Sequence, residues 1–275
     1  MQAQWLQHPE VTLTTEPQKE LAYCHVPKVA SSSWMLTFAE MNRINPDKID
    51  SLFKKKALHD LLLSSTYSVI ARSYDDINVL NNLNLFKFVF IRHPFERLVS
   101  AYHDQFNVSK QENIMRPMIR YQNVIQNYKK ESVTNKNDPK SPDITFSNFV
   151  DFVLHEAKVN ESIDGSSIHW WPFTELCKLC QIKYDFVGRV ESLQTDVQEL
   201  IDIFPHYKTL QNMKQRIKEK INGGHTHHTS NLTLRYFSEL TKETTKKLYN
   251  RYIDDFELGG YEYPQTYIDQ AVTEK

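Results

Sequence analysis

Two stretches of the chain, "LAYCHVPKVASSSW" (21–34) and "LFKFVFIRHPFERLVSAY" (85–102), share one pattern: a short apolar run stops at a basic residue and passes straight into helical period. A nearly continuous apolar run of that length suits a strand covered on both faces, as in a parallel sheet. Trp34, Phe38 and Met41 then recur at i, i+4 and i+7, and Phe95, Leu98, Val99, Tyr102 and Phe106 at i, i+3, i+4, i+7 and i+11, each the buried stripe of a helix. A strand-to-helix joint that occurs twice restricts the fold to the α/β class.

Weaker signals extend the alternation. "YSVIARS" (67–73) and "YDFVGRV" (184–190) read as strands, and helical period returns over 47–65, 146–157, 193–204 and 239–256. The expected architecture is a single α/β domain with a mainly parallel sheet flanked by helices. Residues 1–20 read as a polar tail, 21–264 as the domain and 265–275 as a C-terminal tail. In such sheets ligands bind beyond the carboxyl ends of the strands, where Lys28 and Arg92 both fall.

Charge and cysteine content exclude several classes. A net charge of −1 over 275 residues does not suit a protein that coats nucleic acid. Local basic clusters exist over 110–140 and at Lys208, Lys214, Arg216, Lys218 and Lys220; each reads first as a solvated face and second as an anion-binding surface. No run reaches the eighteen apolar residues of a membrane span, so membrane association is expected only through an anchor outside this chain. Three cysteines do not make a disulfide framework. "CKLC" (177–180) is half a zinc site without a matching second pair, so no metal is expected, and a local disulfide or two buried thiols remain open. Glycosylation sequons at Asn107, Asn160 and Asn231 permit a secretory-pathway protein.

The joints carry the chemistry. A helix N-terminus presents unpaired N–H groups and about half a positive charge, and so favours an anion. Lys28 adds a full charge and Ser31, Ser32 and Ser33 add hydroxyls; the plainer alternative is a surface lysine followed by a serine cap. At the second joint Arg92 suits a bidentate grip on phosphate, and Ser100 follows two turns into the helix. Two anion sites on neighbouring strand ends imply a ligand with two separated phosphate groups. GxxxxGK[ST] is absent, which argues against a nucleotide kinase-like phosphotransferase.

Four motifs in order, "HVPKVASSSW", "FVFIRHPFERLVSAYHDQF", "HWWPFTELCKLCQIKYDFVGRVESL" and "YFSELT…LYNRYIDDFELGGY", resemble the Golgi carbohydrate sulfotransferases of the HNK-1 / chondroitin 4-sulfotransferase family (sulfotransferase family 2). The resemblance spans residues 21–262. It implies a P-loop-NTPase-like sulfotransferase fold and a transferase in the Golgi lumen. That enzyme uses 3′-phosphoadenosine 5′-phosphosulfate (PAPS), without a metal, to sulfate a sugar hydroxyl of a chondroitin/dermatan-type glycosaminoglycan or related glycan.

By that resemblance Lys28, Val29, Ala30, Ser31, Ser32, Ser33 and Trp34 form the 5′-phosphosulfate loop, while Arg92 and Ser100 hold the 3′-phosphate. Lys28 is expected to offset charge on the leaving phosphate. His169 is the first candidate for the base that takes the acceptor's proton, although a His beside two tryptophans can equally pack in a core. Trp170 is a candidate sugar-stacking ring. Glu191 is the second base candidate, or a residue that orients the nucleotide; His25 lies beside the loop in an expected buried strand. The loop "NGGHTHHTSN" (222–231) suits a segment closing over the nucleotide, with Thr229 and Ser230 as minor candidates. Three departures stand out: Ser31–Ser33 replace a Cys-Thr-Asn type sequence, His93 replaces a common acid, and "CKLC" lacks the usual proline. The remaining alternative is a catalytically silent glycan-binding protein on the same fold.

Overall fold

Apolar and β-branched residues make Val11–Thr15 the strand β1, and the chain turns at once into β2 (Leu21–Cys24), antiparallel to it. The buried Glu16 carboxylate closes that turn by accepting the N–H groups of Gln18 (2.5 Å), Glu20 (2.5 Å) and Leu21 (3.0 Å). Residues 11–15, expected within a polar tail, are therefore part of the sheet. So short a connection permits only antiparallel pairing.

The computed structural model describes residues 10–54, 57–106, 144–159, 166–222 and 229–272. After β2 come α1 (Ser31–Met41), α2 (Pro46–Lys54), α3 (Leu58–Leu62), β3 (Ser68–Ala71), α4 (Tyr74–Asn82) and β4 (Phe86–Ile91). Then follow α5 (Pro94–Phe106), α6 (Phe146–Val159), a 3-10 turn at Ser166–His169, α7 (Phe173–Leu176) and β5 (Phe186–Arg189). The chain ends with α8 (Leu193–Ile203), α9 (Lys208–Asn222), α10 (Thr229–Phe237), α11 (Lys242–Arg251), α12 (Ile253–Gly259) and α13 (Gln265–Gln270). The basic stretch 110–140, the sequons at Asn107 and Asn160 and most of the loop 222–231 lie outside the described residues. The stretch 265–275, expected as a tail, contains α13, whose Ile268 is buried.

The five strands run in the order β3-β1-β2-β4-β5. β2 pairs with β4 and β4 with β5 in parallel, whereas β1 is antiparallel to both neighbours. The sheet is thus mixed, not mainly parallel. Each parallel pair is joined by a long connection that contains helices, as parallel pairing requires.

Two compact units divide the chain. The first comprises Met1–Arg92 and Trp171–His227, the second His93–Trp170 and His228–Lys275. In the first unit, Tyr23 lies opposite Phe88 in the ladder, with Phe90 two residues on, so all three share one face. The buried Trp34 of α1 packs on them, with ring centroids 5.4 Å from Tyr23, 4.9 Å from Phe88 and 4.8 Å from Phe90. Gly188 is Phe90's partner in β5, and a Cβ there would lie 2.4 Å from the Phe90 ring. Cys24 points to the opposite face, where Cys177 at the end of α7 joins it in a disulfide, Cα–Cα 5.9 Å. The local Cys177–Cys180 pairing left open by the spacing does not form; Cys180 is exposed and outside the disulfide. The second unit is helical, with Phe95 of α5 stacked on Phe237 of α10 at 4.3 Å and Tyr102 packed among Phe106, Phe146 and Phe149.

Candidate active site

Because β2, β4 and β5 are parallel neighbours, their carboxyl ends share one edge of the first unit. Lys28 follows β2, Arg92 follows β4 and Glu191 follows β5. Glu191 is exposed, one residue after Val190, whose N–H bonds the Ile91 carbonyl at 2.9 Å.

The loop from β2 to α1 answers the absence of glycine in an unexpected way. Lys28 (φ 72°) and Ala30 (φ 62°, ψ 23°) both adopt the left-handed conformation that glycine normally supplies. For a residue with a Cβ this costs about 1–2 kcal/mol, and such outliers gather at ligand-binding turns. Ala30, not a serine, occupies the N-cap position and gives no side-chain cap; Ser31 is already helical. The N–H groups of Ser33 (2.9 Å) and Trp34 (3.2 Å) bond the Ala30 carbonyl.

The other two joints carry an acid in the first turn of their helix, Glu96 in α5 and Asp196 in α8. Asp196 is taken up locally, accepting the Arg189 N–H at 2.6 Å and the Ser192 hydroxyl at 2.8 Å. α1 has no acid in its first turn, so its dipole is left to favour an external anion.

Arg92 ties the two basic joints together. Its side chain is mostly buried, and Nη1 donates to the Lys28 carbonyl at 3.4 Å. α1 is braced further along: Thr37 Oγ1 donates to the Ser33 carbonyl at 2.9 Å, and Arg216 reaches Thr37 Oγ1 (3.0 Å) and Glu40 (2.7 Å). Arg216 and Lys214, which bonds Gln198, thus serve packing within what looked like a basic cluster. Ser32 is exposed, Ser31 half-buried and Ser33 buried, so the hydroxyls are not equally accessible.

Two of the expected cofactor-loop residues offer no side chain at the surface. The side chains of Val29 and Trp34 are completely buried, and the Trp34 N–H is spent on Ala30; both residues shape the loop from within the core. His25 is half-buried and packs on His59, ring centroids 4.9 Å apart. Burial holds the His59 imidazole below its ordinary pKa of 6.5.

In the second unit Ser100 is half-buried on α5. His93 packs edge-on or tilted against Phe95, Phe256, Tyr261 and Tyr267, with centroids 5.2–5.9 Å away. This aromatic setting suits an imidazole, where a carboxylate would be poorly solvated. His169 ends the 3-10 turn and is half-buried. Trp170 is only 2% exposed and lies edge-on to Phe149 and Phe152. Its ring is packed in the core of this unit.

Residues on either side of His169 are held by groups that no sequence pattern signalled. Arg97, 1% exposed, donates Nη2 to the Ile168 carbonyl at 3.1 Å, and the buried Tyr252 hydroxyl donates to the Trp170 carbonyl at 2.5 Å. Among the described residues no group of three or more His, Cys, Asp or Glu is arranged to hold a metal, and no helix is long and apolar enough to cross a membrane.

A profile of the sulfotransferase family matches residues 11–263, from the first residue of β1 onward. The chain belongs to the sulfotransferase family. It is similar to carbohydrate sulfotransferase 10 of Gallus gallus, 27% identical over 256 residues, which covers 89% of this chain and 65% of the relative. Carbohydrate sulfotransferase 11 of Mus musculus is 27% identical over 92% of this chain and 67% of its own length. Carbohydrate sulfotransferase 14 of Danio rerio is 28% identical over 95% and 64%. This sulfotransferase-family chain thus spans about two thirds of the length of the curated relatives it matches. No solved structure matches it.

Proposed function

We propose that the chain is a carbohydrate O-sulfotransferase that uses PAPS and sulfates a sugar hydroxyl of a chondroitin/dermatan-type glycosaminoglycan or a related glycan. The observation that carries this is the bond from Arg92 to the Lys28 carbonyl. It joins two cationic strand ends at the N-terminus of a helix without an acid in its first turn, in a chain of the sulfotransferase family.

The residues present fit the donor. A left-handed turn without a capping side chain leaves the first N–H groups of α1 to an anion, and Lys28 with Ser31 and Ser32 lines that turn. Arg92, with Ser100, would hold the 3′-phosphate. PAPS, when bound, supplies the sulfuryl group. Lys28 neutralises negative charge at the strand end, an effect worth most where it grows toward the transition state. His169 takes the proton from the acceptor hydroxyl oxygen, with Glu191 as the second candidate.

The Golgi lumen is the proposed compartment, supported by the Cys24–Cys177 disulfide, a bond that persists in oxidising compartments. Incubation with PAPS carrying labelled sulfate and a panel of chondroitin, dermatan, heparan and glucuronyl-lactosamine acceptors tests the reading. Label should appear in chondroitin or dermatan. Tight binding of PAP, the desulfated donor, without transfer to any acceptor would identify a silent glycan-binding protein instead.

A further inference from the structure

We infer that Arg97 and Tyr252 are positioning residues for His169, clamping the peptide on both sides of it so that its imidazole is held ready for the acceptor hydroxyl. The inference rests on the assignment of His169 as base. All of its parts lie in the second unit.

The segment concerned is one turn of 3-10 helix, Ser166–His169, followed by a turn residue. So short an element has few backbone bonds of its own to fix its orientation. Its flanking carbonyls are nevertheless held from two different helices. Arg97 comes from α5 and bonds Ile168; Tyr252, between α11 and α12, bonds Trp170. Both donors are almost completely buried, at 1% exposure each.

Burying a guanidinium is costly and is retained where it makes specific bonds. A surface turn whose only task was to connect helices would not need one. The Trp170 ring, locked edge-on against Phe149 at 5.3 Å, holds the next residue in place as well. His169 is thus a half-buried side chain on a backbone gripped immediately before and after it. A base must meet its proton within hydrogen-bond reach, and a displacement of about 1 Å can cost as much as 100-fold in rate.

Tyr252→Phe removes one hydroxyl and keeps the ring; Arg97→Lys keeps the charge and loses the fork. Tyr102→Phe is the control, because Tyr102 also donates a hydroxyl to a backbone carbonyl of this unit, Ile144 at 2.6 Å, which does not flank His169, and the substitution keeps the ring that packs on Phe149. With PAPS and chondroitin as probes, kcat of Tyr252→Phe should fall about ten-fold or more while KM for chondroitin stays within about two-fold. The Tyr102 control should keep its kcat. In the full-length protein without ligand, the NMR resonances and titration midpoint of His169, assigned with His169→Gln, should move in Tyr252→Phe and Arg97→Lys and stay put in Tyr102→Phe.

Equal kcat and an unmoved His169 titration in Tyr252→Phe and the control overturn the clamp. Wild-type transfer by His169→Gln overturns the base role instead, and the titration then decides the clamp alone. Failure of the parent chain to sulfate chondroitin questions the proposed function, and again the titration decides the clamp.

Discussion

Removing the Cys24–Cys177 bond should cost this protein more stability than any other pair of substitutions of comparable size. The disulfide closes a loop with a sequence separation of 153 residues, and the chain-entropy relation converts that to about 5 kcal/mol at 25 °C. Native disulfides deliver somewhat less than that bound, so Cys24→Ala/Cys177→Ala should lose about 3–5 kcal/mol. Hydrogen exchange reads the effect at its source. Where exchange proceeds by global opening, amides of β2 should lose protection by roughly 10²- to 10⁴-fold. Because Cys24 lies four residues before Lys28, PAP affinity measured by calorimetry should fall in the same variant. Cys180→Ala, at an exposed position outside the disulfide, should change stability far less than the double variant, by about 0.5 kcal/mol. A double variant as stable as the parent, or a non-reducing peptide map that finds Cys177 bonded to Cys180, would show that this bond does not hold the fold together.

Lys28→Ala should reduce sulfate transfer by orders of magnitude while PAP affinity falls far less, since the lysine's main partner is charge that develops during transfer; undiminished transfer of labelled sulfate would remove Lys28 from the mechanism. Gly188→Ala places a methyl group 2.4 Å from the Phe90 ring and should cost about 1–3 kcal/mol in urea unfolding; an unchanged midpoint would show that the β4–β5 ladder can yield there. His59 titrates below 6.5 in the folded chain because it is buried, so the unfolded chain binds the proton first as pH falls. Stability should decrease as pH drops from about 6.5 toward the depressed folded value. A urea midpoint followed across this range should lose that component of its slope in His59→Asn, and an identical slope would assign it elsewhere.

The strand-to-helix joints were legible because period alone separates a buried strand from an amphipathic helix. Leu21–Cys24 with α1, and Phe86–Ile91 with α5, lie where the apolar runs placed them. β1 was missed although its β-branched content is a strand signal; its threonines look polar in isolation, yet Thr14 and Thr15 are buried between two neighbouring strands. α4 carries only two buried residues, Ile77 and Leu80, too few to declare a stripe. The burial of Trp170 was not legible because a ring's surroundings come from distant helices, here Phe149 and Phe152 of α6.

Spacing within a few residues was enough to place Lys28 and Arg92 between a strand and the helix that follows it. The sequence also placed the chain in its family through four ordered motifs. Folding brings Arg92 to the Lys28 backbone, pairs Cys177 with Cys24 instead of Cys180, and sets Arg97 and Tyr252 on the peptide around His169. Each of these joins residues 64 to 153 positions apart, and local periodicity carries no information over such distances. The same holds for the loop "HVPKVASSSW": its letters show that glycine is missing, but the left-handed turns at Lys28 and Ala30, and the Arg92 bond to the Lys28 carbonyl, are visible only in the folded chain.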